Sequence, residues 1–182
     1  MKKEKYNIKI YGKSLEDYTV NAYKVIGLVE EDVTTVYNAL MDVESFSEWY
    51  PNCEFAEMLE EDDQAQVRQL VFTLPWPFDP RRAINKIVSR KDDSNIWLEI
   101  VSVPDYLPPQ EKMVTIPRAE GYWLLEPVER GTMLTYCAVG EAPGVPSWIV
   151  NLLVFDGPLE AINNLRKVVK KEKYQTVPDW LK

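Results

Sequence analysis

The stretch from Glu141 to Lys173 reads EAPGVPSWIVNLLVFDGPLEAINNLRKVVKKEK. A Pro-Gly loop opens it, and Pro146 with Ser147 supplies a helix-start signal ahead of an apolar run. Trp148, Ile149, Leu152, Phe155, Leu159, Ile162, Leu165 and Val169 then recur at spacings of three and four, which is one broad apolar face of an α-helix. Gly157-Pro158 interrupts the run, where the missing N–H is expected to kink the helix rather than end it. Arg166, Lys167, Lys170, Lys171 and Lys173 suit the negative end of the helix dipole. A helix of this length at the end of a strand-rich chain needs a large surface to cover.

The rest of the chain supplies strands. Asn7–Gly12 and Tyr18–Val29 alternate apolar and polar residues around a turn at residues 14–17. Glu30, Glu31 and Asp32 precede a helical pattern with Val33, Val36 and Leu40 facing inward, and residues 42–49 form a second short helix stopped by Pro51. Strands are expected at 53–59, 65–74, 82–90, 96–103, 113–126 and 132–141, separated by short turns, a proline-rich loop at 75–80 and a stiff loop at 104–111. Short connections imply an antiparallel meander that buries one face. The economical arrangement is α+β: a curved antiparallel sheet wrapped around the long C-terminal helix.

At 182 residues the chain fits one domain, 1–182, with a core over about 6–172 and a tail at 173–182. A net charge of −8 argues against a protein that tracks phosphates, so no nucleic-acid partner is expected. The chain contains no histidine, which removes the commonest general base and metal ligand. Cys53 and Cys137 belong to no CxxC pair and are expected to be reduced. The N-terminus lacks the apolar core of a signal peptide, and no run approaches the ~18 apolar residues of a membrane span. The expectation is a cytoplasmic, monomeric protein without cofactor or metal.

Several segments resemble the START (steroidogenic acute regulatory protein-related lipid transfer) domain family. Residues 42–49, DVESFSEW, are similar to the family's helix ending in an acidic residue and Trp. Leu74-Pro75-Trp76-Pro77 followed by Pro80-Arg81 resembles its LPWP…R loop. Gly121-Tyr122-Trp123 with Pro127, and Val145-Pro146-Ser147-Trp148-Ile149-Val150-Asn151, are similar to its last strand pair and final-helix entry. Order and spacing hold over about residues 6–170. The resemblance implies a helix-grip fold around a tunnel that holds one apolar molecule, with the loop before Arg81 and the final helix as a lid. It implies that Arg81, Ala83, Asn85 and Ile87 share the tunnel face of one strand and that Trp123 joins them. Family members that carry a charge where Ile87 stands use it on the ligand's polar part, so its absence here implies a less polar ligand or another polar partner. Pro117 departs from the pattern and implies a bulge or an edge, because it removes a ladder donor.

The expected cavity lining therefore combines Arg68, Leu70, Phe72 and Leu74, which share a face, with Arg81, Ala83, Asn85, Ile87 and Trp123. Ile149, Leu152, Phe155, Leu159 and Ile162 of the final helix complete it, with Trp76 and Phe78 in the lid. Arg68 is either a buried cation that orients a ligand or pairs with a carboxylate such as Glu99, or a strand-end residue reaching water. The run Glu60–Asp63 lacks the ligand spacing of a calcium loop and reads as a solvated hairpin tip. Asp156 either bonds a ligand hydroxyl or caps the helix that restarts at Pro158. Trp76 and Phe78 either insert at a membrane interface or fold under their loop. No catalytic set is assembled. The leading expectation is a soluble carrier or sensor of a lipid or sterol-like molecule, making transient membrane contact. The alternatives are a polyketide cyclase or aromatase-like enzyme on the same fold, and a protein-interaction domain whose cavity is filled.

Overall fold

The computed structural model describes residues 2–16, 18, 20–146, 150 and 156–181. Its sheet contains β1 (Lys2–Lys5), β2 (Ile8–Lys13), β3 (Ala22–Val29), β4 (Cys53–Glu61), β5 (Ala65–Phe72), β6 (Arg81–Asp92), β7 (Asn95–Ser102), β8 (Val114–Thr115), β9 (Ala119–Val128) and β10 (Gly131–Gly140). The order is β1-β2-β3-β10-β9-β7-β6-β5-β4, antiparallel throughout, with β8 added in parallel beside the start of β6. The chain thus crosses once, from β3 to β4 through α1 (Val33–Met41) and α2 (Phe46–Trp49), and β10 returns to pair with β3. The third helix, α3 (Asp156–Val168), lies against β2, β3 and α2. The α+β grip expected from the sequence is what the chain adopts.

Local chemistry explains the boundaries. The Asp32 carboxylate caps α1 by accepting from Thr34 N and Thr35 N at 2.9 and 3.0 Å. Tyr50, the residue before Pro51, is forced into extended backbone and ends α2. At the tip between β4 and β5, Asp62 Oδ1 accepts from Gln64 N and Ala65 N, Glu60 accepts from Tyr106, and Glu61 from Gln66. The acidic run is spent on such bonds, and no metal-binding cluster exists among the described residues. Register shifts at Cys53/Phe55 and Met58/Glu60 bend β4 at the sheet's edge.

Three expectations need correction, and one strand was not expected. The strand expected at residues 113–126 is two: β8 ends at Thr115 and β9 begins at Ala119, with Pro117 in the gap where it owes no ladder hydrogen bond. The strand expected from Tyr18 begins only at Ala22, because Tyr18 turns its hydroxyl to Glu120 and Arg118. The segment Lys2–Lys5 is a strand although it has no apolar alternation; backbone pairing to β2 and the pairs Lys3–Asp156 and Lys5–Glu160 hold it. Residues 173–181, expected as a tail, pack down: Tyr174 and Leu181 are buried and Trp180 stacks edge-on against Tyr37. The expected kink falls on residues of which only the C-terminal side is described; there Gly157 and Pro158 stand in the first turn of α3.

The core lies between the inner sheet face and the three helices. Leu159, Ala161, Ile162, Leu165 and Val168 of α3 are buried, as are Ile8, Ile10, Val25 and Val29 of the strands beneath. Gly27 sits among them, and a Cβ there would meet Ile8 Cγ1 at 3.1 Å and Ile162 Cγ2 at 3.2 Å. The missing side chain lets the helix come down onto β3. No described helix is long and apolar enough to cross a membrane.

Candidate ligand-binding cavity

Where α3 does not reach, the sheet and helices line a partly open cavity of about 290 Å³. Its wall takes one face of β5 and β6, where the register sets Arg68 beside Asn85, Leu70 beside Ala83 and Phe72 beside Arg81. β9 and β10 contribute Trp123 and Tyr136, which are partners in the ladder and stack at 3.8 Å. Phe46 and Tyr50 close it from α2 and its C-terminus, stacked on each other at 5.1 Å. Gly140–Ala142, Val145, Gly157 and Pro158 border it where α3 begins.

Of the expected lining residues, Arg68, Leu70, Phe72, Leu74, Arg81, Ala83, Asn85 and Trp123 stand in this wall. Ile87, Leu159 and Ile162 do not; they are buried in the solid core. Ile87 shares its face with Asn85 but lies one step beyond Arg68, where the end of α1 covers the strands and Gln66 Nε2 bonds Met41 O at 3.0 Å. Ile162 lies over the close approach at Gly27, and Leu159 on the same helix is likewise fully buried, which leaves no space there between helix and sheet. Ile149, Leu152 and Phe155 lie outside the described residues. In the proline-rich loop Trp76 is 93% exposed and Phe78 half-buried, and neither borders the cavity. Asp156 is exposed and paired with Lys3 rather than turned inward. Glu99 faces solvent on the outer side of β7 and does not reach Arg68.

Three of the wall's polar side chains, Arg68, Arg81 and Asn85, are placed by bonds to backbone carbonyls. Arg68 is 4% exposed, so it does not reach water. Its Nη1 donates to Leu40 O at 3.1 Å and the guanidinium lies 5.0 Å from the Phe46 ring. Burial pushes its pKa down to about 10, which still leaves it charged at neutral pH. Arg81 donates from Nη1 to Asp79 O at 2.6 Å and from Nη2 to Pro143 O at 2.8 Å, joining the proline-rich loop to the segment that leads into the last helix. Asn85 Nδ2 donates to Ala119 O at 2.8 Å. Tyr23, Tyr50 and Tyr136 stand together in the wall, the rings of Tyr23 and Tyr136 meeting edge-on at 5.4 Å, and burial raises all three pKa values, so their hydroxyls are neutral. Glu120 and Glu141, the carboxylates in the wall, are taken up by Arg118 at 4.0 and 3.7 Å.

The sequence reading missed the tyrosines. Counting outward from the Glu129–Arg130 turn places Tyr136 opposite Trp123, so that one was within reach. Gly131, at φ 130°, makes that count reliable: a Cβ would stand 2.4 Å from Val29 O, which fixes where the hairpin turns. Tyr23 and Tyr50 gave no such signal, because the β3–β10 pairing joins distant parts of the chain. Both cysteines are free thiols; Cys53 is buried, which pushes its pKa up to about 11.

Residues 29–139 match the family model described as polyketide cyclase / dehydrase and lipid transport, which is more than half of the chain. The chain belongs to that family. The structure is similar to the STAR-related lipid transfer protein of Xanthomonas axonopodis, with a TM-score of 0.87 and 29% identity over 93% of this chain and 97% of that one. Human StAR-related lipid transfer protein 5 superposes with a TM-score of 0.82 at 18% identity, covering 92% of this chain and 84% of that chain. The Zhui aromatase/cyclase of Streptomyces sp. R1128 matches at a TM-score of 0.55 and 18% identity, over 82% of this chain and 93% of that one. The last two likenesses show the fold alone. That fold is the START helix grip.

Proposed function

We propose that this family member binds a lipid or comparable apolar molecule inside its sheet, as a soluble cytoplasmic carrier or sensor. The observation that carries the reading is the cavity: about 290 Å³ of space, walled by aromatic and aliphatic side chains with a few fixed polar groups. Burying a ligand's apolar surface there stabilises the complex at ~25 cal/mol per Å². The described tryptophans and tyrosines leave this space open, which weighs against an interaction domain with an obliterated cavity. The printed name of the Xanthomonas axonopodis protein points the same way. Trp76, almost fully exposed on its proline-rich loop, suits the reversible membrane contact that loading requires.

The second reading is a cyclase-type enzyme, and one observation favours it: Arg68 and the tyrosine hydroxyls stand together in the wall, where they would polarise a bound carbonyl. The carrier reading ranks first because the chain has no histidine, and the carboxylates of the wall, Glu120 and Glu141, are held by Arg118 rather than standing as a free base beside Arg68 and the hydroxyls. Native mass spectrometry of the purified protein, followed by organic extraction, tests the choice. A co-purifying apolar molecule is expected, with no turnover across esters, thioesters and polyketide-like substrates. A persistently empty protein that also refuses added lipid sinks the carrier reading. Turnover lost on Arg68→Ala establishes the enzyme instead.

A further inference from the structure

Arg68 is the feature of the cavity that apolar binding alone leaves unexplained. Its guanidinium hangs from the middle of β5, 4% exposed, and faces the cavity. Its protein acceptor is Leu40 O, in the last turn of α1, where the helix's partial negative charge favours a cation. Half a charge does not neutralise a whole one. Nε is buried without a partner, and no carboxylate among the described residues pairs with Arg68. Cations this deep are ordinarily paired. Glu120 and Glu141, the acidic groups in the wall, are already held by Arg118.

The surroundings offer donors rather than anions. Tyr136 lines the same cavity as Arg68, with the Tyr23 ring 5.4 Å from its own and Tyr50 also in the lining, and Arg68 and Tyr136 each shift the other's pKa. A guanidinium fork with neutral hydroxyls beside it is a receptor for a planar anion. From the Arg68–Asn85 pair the cavity face runs along Leu70 and Ala83 to the Phe72–Arg81 pair, ~13 Å of strand at ~3.3 Å per residue. A volume of about 290 Å³ sits at the low end of the ~300–1,000 Å³ usual for small-molecule sites, so one slim tail fits better than two.

We propose that the ligand is an apolar carboxylate: a medium-chain acid whose carboxylate pairs with Arg68 while its tail lies against Leu70, Ala83 and Trp123. This rests on the apolar-ligand reading and narrows it to an anionic amphiphile that brings the charge the protein lacks. The same idea explains why a lone buried guanidinium is tolerated in an otherwise apolar wall: it is one half of an ion pair completed on binding.

Decanoate and decanol are the probes, with affinities for the wild-type protein and for Arg68→Met measured by calorimetry at neutral pH. The wild type is expected to bind decanoate at least tenfold more tightly than decanol. Arg68→Met is expected to lose that preference while holding decanol as well as before. Wild-type protein that binds decanol as tightly as decanoate, or a variant that keeps the preference for the acid, overturns the assignment and leaves the apolar-ligand reading standing. Failure of both probes overturns the two together. Should Arg68→Met not fold, the wild-type ratio and Arg68→Lys, which keeps the charge and is expected to keep the preference, decide the matter.

Discussion

Arg81 joins the two segments that the sequence reading expects to act as a lid. It begins β6 at the rim of the cavity and spends both terminal nitrogens on backbone carbonyls, Asp79 O on the proline-rich loop and Pro143 O on the way into the last helix. Burial lowers its pKa while Asp79 partly restores it, so the charge persists at neutral pH. Bonds from a charged donor contribute ~1.5–3 kcal/mol each, less where water competes, as at this rim. Arg81→Ala removes the shared anchor, and ligand exchange is expected to accelerate by about tenfold, the equivalent of ~1.4 kcal/mol. Stopped-flow release of a bound fluorescent fatty acid measures it, and an unchanged rate would show that the two segments do not gate the cavity. The two arginines thus differ in kind. Each leaves a buried Nε without a partner, but Arg68 has a single backbone acceptor inside the wall, whereas Arg81 ties two segments together at the rim. Residue type alone did not separate them: both read as cavity-facing arginines, and only the position of backbone carbonyls distinguishes a latch from a receptor.

At the scale of elements, the C-terminal segment after α3 behaves as a clasp. Lys173 and Tyr174 both bond the Asp42 carboxylate at the end of α1, the tyrosine at 2.8 Å, and Asn38 donates to Tyr174 O and Thr176 O. Burial raises the Asp42 pKa, but the bonds from Lys173, Tyr174 and Ser45 outweigh it and the net shift is downward from 3.8. A carboxyl depressed in the folded state contributes stability that is complete above its unfolded pKa and is lost as pH falls through the folded value. Asp42→Asn is therefore expected to cost about 1 kcal/mol at pH 7, and the gap from wild type should close as pH falls below 3.8. Denaturant titrations across that range check it, and a gap independent of pH refutes the assignment of the clasp to this carboxylate. Elements with local signals were legible: Asp32 as a cap, Pro51 as a stop, the tight turn before Gly131. Lys2–Lys5 and the clasp were not, because their stability comes from partners more than a hundred positions away, Asp156 and Asp42, rather than from any periodicity of their own.

Over the molecule as a whole, the path of the chain decides both the fold and the site. β10 closes back on β3, so the first and last thirds of the sheet sit side by side and the helix that follows β10 crosses the face they share. The apolar period of that helix was enough to name the architecture. It was not enough to place the cavity, since where helix and sheet touch depends on Gly27, and where they part depends on how far the end of α1 reaches over β5 and β6. The resulting space is bordered by Thr73, Leu74 and Arg81 at the two ends of the proline-rich loop and by residues 140–142 and Val145 opposite, and the lid expected from the sequence would act between them. Prolines at 75, 77 and 80 stiffen the loop, so it should swing about its ends as a unit. Gly144, at φ 75°, gives the facing segment a backbone geometry that other residues rarely adopt. A disulfide engineered between the segment of Asp79 and that of Pro143, in a Cys137→Ser background, would lock that lid. Uptake of a fluorescent fatty acid is expected to slow strongly under oxidation and recover on reduction. Equal rates in the two states would move the entrance to the far side of the sheet, past the loop of residues 104–111, where Arg82 Nη2 holds Pro108 O at 2.9 Å and would become the latch to break.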